Sequence, residues 1–449
     1  MLKILQGTAF ARLAPWGLAL AITLGAVFRL IWGEDIEFKG DEAYTLHFAA
    51  SGAQGEEPFP WLGMRSSAGF KNPGMSVWAF MIFGYCFEIT DAPTLARCVQ
   101  ICSILALIAY IPFIRRLVKE DEREGWYWGV ALMALNPLAV ILHRKIWPPS
   151  LFPLITLAFL LGWLKRGNPW GAFLLGLIAA LIGQFQMAGF IMAAAFFFWA
   201  ILFDRQSVRW VPLIAGALLG TLPMLPWIYE MVFIRDFETP NRAASLSYLF
   251  EGMFWLRWII QPFGLETVYP SLKADFFDFL RYPILFGVPS YLVAIVHLLL
   301  IGTVIALAIR GMARLWQTRS QWFDQFTGRS SPTGFTLSAA FWGCGLLFSA
   351  TLRPFRYHYG LVSMPLSFVW AARSTLTLAK HGRALLLFVC VGNGLLSAWF
   401  LDYIHQNQRK IQGDYGLPYQ AQLVHPQELP TYAGKPVLAD RRVSRTGPP

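Results

Sequence analysis

An acidic cluster follows the first hydrophobic segment of the chain. Glu34, Asp35 and Glu37 precede the adjacent pair Asp41 and Glu42. Carboxylates cost little at a bilayer surface and several kcal/mol inside it, so this cluster marks a surface loop. An adjacent Asp-Glu pair in such a loop can deprotonate a hydroxyl nucleophile or hold a divalent cation. Both residues also favour the first turn of a helix, so helix capping is the alternative interpretation.

Two further groups of residues could hold a phosphate. Lys71 stands at the loop end of a hydrophobic segment, and Arg353, Arg356 and His358 lie among aromatic residues in a later turn. Guanidinium groups bind phosphate oxygens bidentately, and an ammonium binds phosphate as a point charge. The alternatives are an interfacial lysine that snorkels to headgroups and an aromatic belt with snorkelling arginines.

Arg97 and the turn His143-Arg144-Lys145 carry the remaining candidate cations. Ionisable groups within membrane segments are functional hypotheses by default, and Arg97 could reach a lipid phosphate. If the turn at Arg144 faces inward, its basic residues only anchor the topology. If it faces outward, it suggests anion binding.

The elements that must position these residues are membrane helices. Hydrophobic residues make up 56% of the 449 and charged residues 14%, against about 25% charged residues in a soluble chain. The net charge of +11 then fits basic cytoplasmic loops and anionic lipid or phosphate ligands, and no nucleic-acid partner is expected. The five cysteines lack metal-ligand spacing and are interpreted as small core residues.

The hydropathy pattern predicts an all-α polytopic integral membrane protein with about twelve transmembrane helices. The candidate segments are 14–33, 74–90, 93–117, 125–142, 147–164, 170–183, 187–203, 210–233, 283–309, 334–352, 358–379 and 384–402. Two large polar loops, about 34–73 and 234–282, interrupt them. We expect residues 1–402 to form the catalytic membrane domain and residues 403–449 a polar, partly disordered tail outside the membrane.

The lysines and arginines orient this topology. Lys3 and Arg12 place the N-terminus inside, and Arg310, Arg314 and Arg329 place the loop 310–330 inside as well. The large polar loops, the turn from Arg353 to His358 and the tail then share the outer face. Between the first outer loop and the inner loop 204–209, however, six candidate segments stand where an odd number is required. The pair 74–90 and 93–117 is the first suspect, and the segment 183–186 the second.

An acid and several cations on one face suggest a reaction at a lipid phosphate. Transfer of a sugar from a polyprenyl phosphate needs a base for the incoming hydroxyl and positive charge for the departing phosphate. Asp41 suits the first role, and Lys71, Arg353 and Arg356 suit the second. The sequence contains no HExxH, paired CxxC, P-loop or Ser-His-Asp signature that would favour a protease, an ATPase or a zinc site.

In this layout the chain resembles the GT-C glycosyltransferases, most of all the branch with the lipid A aminoarabinose transferase, the protein O-mannosyltransferases and the RgtA/B/C/D-like enzymes. The resemblance covers most of residues 1–380. It rests on the order of short motifs among the helices: Asp41-Glu42, Lys71-Asn72-Pro73, Ala96-Arg97, the turn from Asn136-Pro137 to Pro149, and Arg356-Tyr357 followed by Pro365. The His-Pro-Pro element of the family is absent, and its C-terminal soluble domain is reduced to a tail.

The resemblance implies a GT-C-type bundle in a bacterial inner membrane and an inverting hexosyl- or pentosyltransferase. It would use a polyprenyl-phosphate sugar on the periplasmic side. It further implies Asp41 as the base, Glu42 as its support, and donor-phosphate binding by Lys71, Arg97, Arg144, Arg353, Arg356 and His358. Glu34, Asp35 and Glu37 are then ordinary loop residues. No cofactor is certain, and a divalent cation at Asp41 and Glu42 stays open because metal dependence varies in this superfamily.

Two other functions stay open at the level of the sequence. A transporter or flippase of a lipid-linked or anionic substrate would need charges along a path through the bundle, whereas these charges cluster on one face. In a non-catalytic membrane assembly protein, the acidic loop would only bind a partner. Under the enzyme hypothesis the partners are membrane lipids, the polyprenyl-phosphate donor and a lipid, glycan or protein acceptor.

Overall fold

The computed structural model describes residues 8–55, 58–65, 71–234, 244–378 and 381–424 and two short strands beyond them. Within these ranges the chain is mostly helical. The described strands form three antiparallel hairpins, namely β1 (Leu62–Arg65) with β2 (Lys71–Pro73), β3 (Ile284–Leu285) with β4 (Val288–Pro289), and β5 (Thr431–Tyr432) with β6 (Lys435–Pro436).

The α-helices of the first half include the apolar helices that build most of the core. They are α1 (Thr8–Leu30), α2 (Gly40–Gln54), α3 (Met75–Phe87), α4 (Ala92–Leu117), α5 (Arg123–Leu135), α6 (Pro137–Leu142), α7 (Phe152–Leu164), α8 (Pro169–Phe185), α9 (Ala188–Phe203), α10 (Trp210–Thr221) and α11 (Leu225–Tyr229).

The α-helices of the second half alternate between short pieces in polar loops and long apolar rods. They are α12 (Met253–Ile260), α13 (Val268–Leu272), α14 (Phe276–Phe279), α15 (Leu292–Gln317), α16 (Trp322–Thr327), α17 (Pro332–Ser338), α18 (Cys344–Ala350), α19 (Leu366–Leu376), α20 (Gly382–Gln406) and α21 (Tyr419–Val424).

The chain is a polytopic helical membrane protein, as the composition predicts. Five helical stretches are long and apolar enough to cross a membrane: Ala92–Leu117, Trp210–Ile234, Leu292–Gln317, Pro332–Ala350 and Gly382–Gln406. Five shorter apolar helices accompany them. Helix α15 leaves most of its apolar side chains on the surface, and Leu298, for example, is 67% exposed. An apolar surface of this kind suits contact with lipid.

Small residues bring the membrane helices into close contact. A Cβ atom on Gly25 of α1 would come within 2.5 Å of the carbonyl oxygen of Ala134 in α5. Between α8 and α10 the fit is reciprocal, because Gly176 faces the carbonyl oxygen of Leu213 and Gly216 faces that of Phe173. Such close backbone approach is the usual means by which helices associate in a bilayer.

The bundle has two distinct polar ends. One, which we call the acidic end, carries the cluster Glu34 to Glu42. At the opposite end, Arg373 pairs with Glu122 at 2.7 Å and Arg383 pairs with Glu124 at 2.7 Å, while Arg166 pairs with Asp204.

The segment from α2 to α3 resolves the parity problem in the predicted topology. These two helices pack antiparallel, with Gly84 against Ala49 and Gly52 against Met81. The chain enters this segment at Ile36 and leaves it at Ala92, and both residues lie in the same buried cluster. The segment therefore makes no net pass, which agrees with the suspicion that fell on 74–90 and 93–117. Within the described ranges, five helical runs then lead from the first loop to Asp204, namely α4, α5 with α6, α7, α8 and α9. Of these, α4 is long and apolar enough to cross a membrane by itself.

The C-terminal region is packed as far as the structure describes it continuously. Helix α20 runs on to Gln406, past the predicted boundary at residue 402. Residues 411–424, which we call the C-terminal strap, bury Ile411, Tyr415 and Tyr419 against the rest of the fold. Up to Val424 the strap is thus an ordered part of the acidic end. Most of the predicted tail beyond it lies outside the described residues.

Candidate active site at the acidic end

The acidic pair begins helix α2. Lys39 precedes the helix in an extended conformation, and its backbone N–H donates to Oε2 of Glu42 at 2.9 Å. The carboxylate of Glu42 therefore satisfies one of the backbone donors that a helix start leaves unpaired. The capping alternative holds for Glu42. It does not hold for Asp41, whose side chain makes no capping bond in the described structure.

Lys145 lies between two buried carboxylates. Its Nζ atom is 2.8 Å from Oε1 of Glu37 and 3.0 Å from Oε1 of Glu42, and Lys39 contacts Glu37 from the outer side. Glu42 has no exposed surface, and Glu37 and Lys145 are each 8% exposed. A buried charge of either sign is costly unless it is paired, so these side chains hold one another in place.

The protonation of this cluster is unusual. Burial raises the pKa of Glu42 to about 7, and the nearby carboxylates of Glu37 and Asp41 act in the same direction, while Lys145 opposes them. The pKa of Lys145 is raised because the two carboxylates outweigh its burial. Lys145 therefore stays charged, and Glu42 changes its protonation near neutral pH.

Asp41 presents a carboxylate that no other described group binds. The carboxylate makes no hydrogen bond or ion pair with the residues that the structure describes, and part of Asp41 reaches the surface. Burial of the carboxyl nonetheless raises its pKa, with Glu37 adding to the effect and Lys145 and Lys39 opposing it. An accessible carboxylate with a raised pKa is suited to accept a proton from a hydroxyl group.

The turn from Arg353 to Ser363 reaches the same place. The ring of His358 meets the ring of Trp147 edge to face at 5.0 Å, and Nζ of Lys145 lies 4.8 Å from the centre of that indole. Tyr357 lies close enough to Glu37 and Lys145 for both to influence its pKa. The prediction that this turn shares the face of the acidic cluster therefore agrees with the structure.

His358 is not a cation in this setting. Burial, together with the positive charges of Lys145, Arg356 and Arg257, lowers its pKa to about 3. Its imidazole is therefore neutral at physiological pH and can offer a phosphate one hydrogen bond and no charge.

The predicted phosphate-binding cations differ in how they are engaged. The side chain of Arg356 makes no hydrogen bond or ion pair with any described residue. The same is true of the side chain of Arg97, whose guanidinium lies beside Gly33 next to the acidic loop. Lys71 begins β2, and its backbone carbonyl accepts a 2.7 Å hydrogen bond from the indole of Trp227. Arg353 is partly exposed at the start of the turn.

Arg144 is occupied by the end of helix α1. Its guanidinium donates to the backbone carbonyls of Phe28 at 2.8 Å, Ile31 at 2.6 Å and Trp32 at 2.7 Å. These are the carbonyls that a helix C-terminus leaves without partners. The turn His143-Arg144-Lys145 thus lies at the same end as the acidic cluster, which is the second of the two alternatives given for it. Arg144 itself is a capping residue there, with little capacity left for a phosphate.

The prediction that Asp35 and Glu37 are ordinary loop residues is wrong. Asp35 is 2% exposed and accepts from Nδ1 of His405 and from Nε2 of Gln408, both at 2.7 Å. Glu37 pairs with Lys145 as described above. Glu34 matches the expectation, because its side chain is exposed and makes no hydrogen bond in the described structure.

The C-terminal strap fixes the backbone of the acidic loop. The backbone N–H of Tyr419 donates to the carbonyl of Ile36 at 3.0 Å, and the side chain of Gln422 donates to the carbonyl of Phe38 at 2.7 Å. The hydroxyl of Tyr415 donates to the carbonyl of Asp35. Sequence reasoning missed this contact, although apolar residues at 411, 415, 417 and 419 in a polar tail were a signal for it.

The donor set for a divalent cation does not fit. Among the described residues, no three His, Cys, Asp or Glu side chains converge into a group that could hold a metal ion. The place between Glu37 and Glu42 holds the ammonium group of Lys145 instead. A metal would therefore have to share the single open carboxylate of Asp41.

No family model matches the chain, and no curated protein matches it. The fold is similar to the apo oligosaccharyltransferase of Archaeoglobus fulgidus, with a TM-score of 0.42 and 15% identity over 88% of this chain and 55% of that one. It is also similar to ArnT from Cupriavidus metallidurans bound to undecaprenyl phosphate, with a TM-score of 0.42 and 14% identity over 96% of this chain and 87% of that one.

These likenesses do not decide an activity. The chain spans about half the length of the oligosaccharyltransferase. At such TM-scores and identities, neither structure assigns a fold family or a substrate to this chain. The class that the composition and the helices define is a polytopic helical membrane protein. The particular activity is a question for the residues at the acidic end.

Proposed function

We propose that this protein is an inverting glycosyltransferase. It would move a sugar from a polyprenyl-phosphate donor to a hydroxyl acceptor at the outer face of the membrane. One observation carries the proposal: Asp41 offers an open carboxylate with a raised pKa beside a buried, fully paired lysine, at one polar end of a membrane bundle. The order of the GT-C-like motifs in the sequence supports the same conclusion.

The reaction is a single displacement. Asp41 accepts the proton of the acceptor hydroxyl, and the acceptor oxygen forms a bond to the anomeric carbon of the sugar. The bond between that carbon and the phosphate oxygen breaks, and the polyprenyl phosphate leaves with the electron pair. Because the nucleophile attacks the face opposite the leaving group, the configuration at the anomeric carbon is inverted.

The departing phosphate gains negative charge, which nearby cations would stabilise. Arg356 and Arg97 suit this role best, because each is unpaired among the described residues. Lys71 and Arg353 are further candidates. His358 would contribute a hydrogen bond from its neutral ring. Arg144 would act indirectly, by holding the end of α1 under the acidic loop.

Glu42 and Lys145 would act as positioning residues. Glu42 fixes the first turn of α2 through the backbone of Lys39, and so aims the neighbouring Asp41. Lys145 offsets the negative charge of Glu37 and Glu42, which keeps the pKa of Asp41 from rising further. The proposed reaction uses these side chains and needs no metal ligand from this chain.

Product formation tests the proposal. The full-length protein in lipid nanodiscs is incubated with synthetic undecaprenyl-phosphate hexoses and pentoses and with a membrane extract as the source of acceptor. Free undecaprenyl phosphate and glycosylated product are measured by mass spectrometry, and the anomeric configuration of the product by NMR. We expect equal amounts of the two products, with inverted configuration. Movement of intact donor across a bilayer without product would instead identify a flippase.

A further inference from the structure

A second polar recess lies beside the proposed active site. It is bounded by α12, the turn at Gln261–Phe263 and the turn from Arg353 to Ser363. Its polar lining includes Arg257, Trp258, Gln261 and Glu266, and its aromatic lining includes Phe355 and Tyr357. Proton transfer at Asp41 gives no role to the four polar residues of this lining.

The recess contains several buried polar atoms without hydrogen-bond partners. Within the described structure these are Nη1 of Arg257, Nε1 of Trp258, Nε2 of Gln261 and both carboxylate oxygens of Glu266. Trp258 and Gln261 are each 2% exposed. Nearly all buried polar groups in proteins form hydrogen bonds, so five atoms without one around one space need an explanation, although Nη1 of Arg257 and Oε1 of Glu266 face each other.

Water does not supply that explanation in this conformation. The recess leaves no room for a water-sized sphere. Arg257 and Glu266 close the recess, with Nη1 and Oε1 3.3 Å apart and not aligned as a hydrogen bond. A ligand would therefore enter as this loose pair separates.

The floor of the recess is held in place from the membrane side. Nδ2 of Asn136 donates to the carbonyl of Gln261 at 2.9 Å, and Nδ2 of Asn393 donates to the carbonyl of Pro262 at 2.8 Å. Both asparagines are completely buried. The unpaired side chains thus project from an anchored turn, so a loose loop does not account for them.

The chemistry of the lining distinguishes between ligands. Trp258 and Gln261 offer N–H donors, and burial raises the pKa of Glu266 to about 8, so this carboxyl is mostly protonated at neutral pH and can both donate and accept. A free anion would meet a competing carboxyl that already faces Arg257. Ligands with several hydroxyl groups match mixed donors and acceptors, and aromatic rings suit the apolar faces of such ligands.

We propose that this recess binds the hydroxyl groups of a sugar at the edge of the active site. The proposal rests on the proposed function, and the sugar is that of the donor or that of a glycan acceptor. Tyr357 connects the two sites, because Glu37 and Lys145 on one side and Glu266 on the other all influence its pKa. Because the closed recess has no room for a water-sized sphere, the sugar hydroxyls enter it as Arg257 and Glu266 move apart.

The test compares Gln261→Met, which removes the unpaired amide and keeps the length of the side chain, with wild type. Glu251→Gln is the matched control, because Glu251 is exposed in the same loop. Binding of undecaprenyl phosphate and of undecaprenyl-phosphate hexoses and pentoses is measured by native mass spectrometry on the full-length protein. Donor and acceptor KM are measured in the transfer assay.

If the donor sugar occupies the recess, Gln261→Met weakens binding of a sugar-linked lipid by about tenfold and leaves the bare lipid unaffected. If the acceptor sugar occupies it, only the acceptor KM rises. Glu266→Gln, which retains a donor and an acceptor, should preserve more binding than Glu266→Met. Unchanged affinity and unchanged KM values in Gln261→Met, with a folded protein, would overturn the inference.

The binding measurement separates this inference from the proposed function. If wild type binds sugar-linked lipid but never transfers the sugar, and Gln261→Met loses that binding, the transferase proposal fails and the sugar recess stands. If wild type transfers sugar and Gln261→Met behaves as Glu251→Gln does, the transferase stands and the recess has no role in sugar binding.

Discussion

The ammonium group of Lys145 lies 3.0 Å from the carboxylate of Glu42, although 102 residues separate them in the chain. This pair joins the turn after α6 to the first turn of α2. Glu42, the residue that follows Asp41, is therefore in contact with a buried positive charge. The local charge balance at the proposed base is therefore set by a contact between distant parts of the chain.

Replacement of Lys145 by Met should destabilise the protein. The change leaves Glu42 buried without a cation and leaves Glu37 with Lys39 alone, and such a loss costs about 3–5 kcal/mol in the free energy of unfolding. The measurement is the melting temperature of the detergent-purified protein. Adding Glu37→Gln to the same protein should restore part of the loss, since one uncompensated carboxylate is removed. A Lys145→Met variant as stable as wild type would contradict the ion-pair network.

Two substitutions near Asp41 should shift the pH dependence of activity in opposite directions. Asp41 must be deprotonated to act as a base, so activity rises with pH as Asp41 loses its proton. Glu37 raises the pKa of Asp41 and Lys39 lowers it. Glu37→Gln should therefore move the acidic limb of the kcat/KM profile to lower pH, and Lys39→Met should move it to higher pH. Glu34→Gln is the control, and shifts in the same direction for both changes would contradict the account.

Glu42 should make stability depend on pH. The pKa of Glu42 is about 7 in the folded protein, against an ordinary value of 4.5. Between these two values the folded state binds more protons than the unfolded chain, so the free energy of unfolding falls as the pH rises from about 4.5 to about 7. Glu42→Gln should flatten this part of the curve of melting temperature against pH. An unaltered slope would show that Glu42 is not the group responsible.

Substitutions of Arg144 and Arg356 should distinguish a structural role from a role in phosphate binding. Arg144→Met removes the donor to the carbonyls of Phe28 and Ile31 at the end of α1, and we expect a loss of at least about 2 kcal/mol in stability. Arg356→Met breaks no described hydrogen bond, so the melting temperature should stay unchanged. The KM for the donor should rise about tenfold or more, because a charge-assisted contact to phosphate is lost. An unchanged donor KM in Arg356→Met would remove this residue from the phosphate site.

The sequence was sufficient for the membrane character of the chain, because long apolar segments and rare charges identify membrane helices. Acids in a polar loop make Asp41 and Glu42 candidates. The sequence did not identify the residues that contact this pair. Lys145 and Arg144 are neighbours in one basic turn, and only the packing of α1 against α5 and α6 determines that Arg144 caps a helix while Lys145 faces the acids.

The buried acids show a second limit. Nothing local in the chain distinguishes Asp35 from Glu34, yet Asp35 is enclosed by His405 and Gln408 from the far C-terminus while Glu34 is exposed. Hydropathy likewise cannot tell that the apolar segment 74–90 returns along α2. That arrangement depends on Gly52 and Gly84, which let α2 and α3 approach closely.

The most direct test of the central claim is the release of undecaprenyl phosphate by Asp41→Asn compared with Glu34→Gln. Both changes remove one carboxylate from the first loop, and both proteins are assayed in nanodiscs with the same sugar-linked donors and acceptor extract. The account predicts that Asp41→Asn folds and binds the donor but that its kcat falls at least about a hundredfold, because a general base is removed. Glu34→Gln should retain wild-type activity. Wild-type turnover in Asp41→Asn would contradict it.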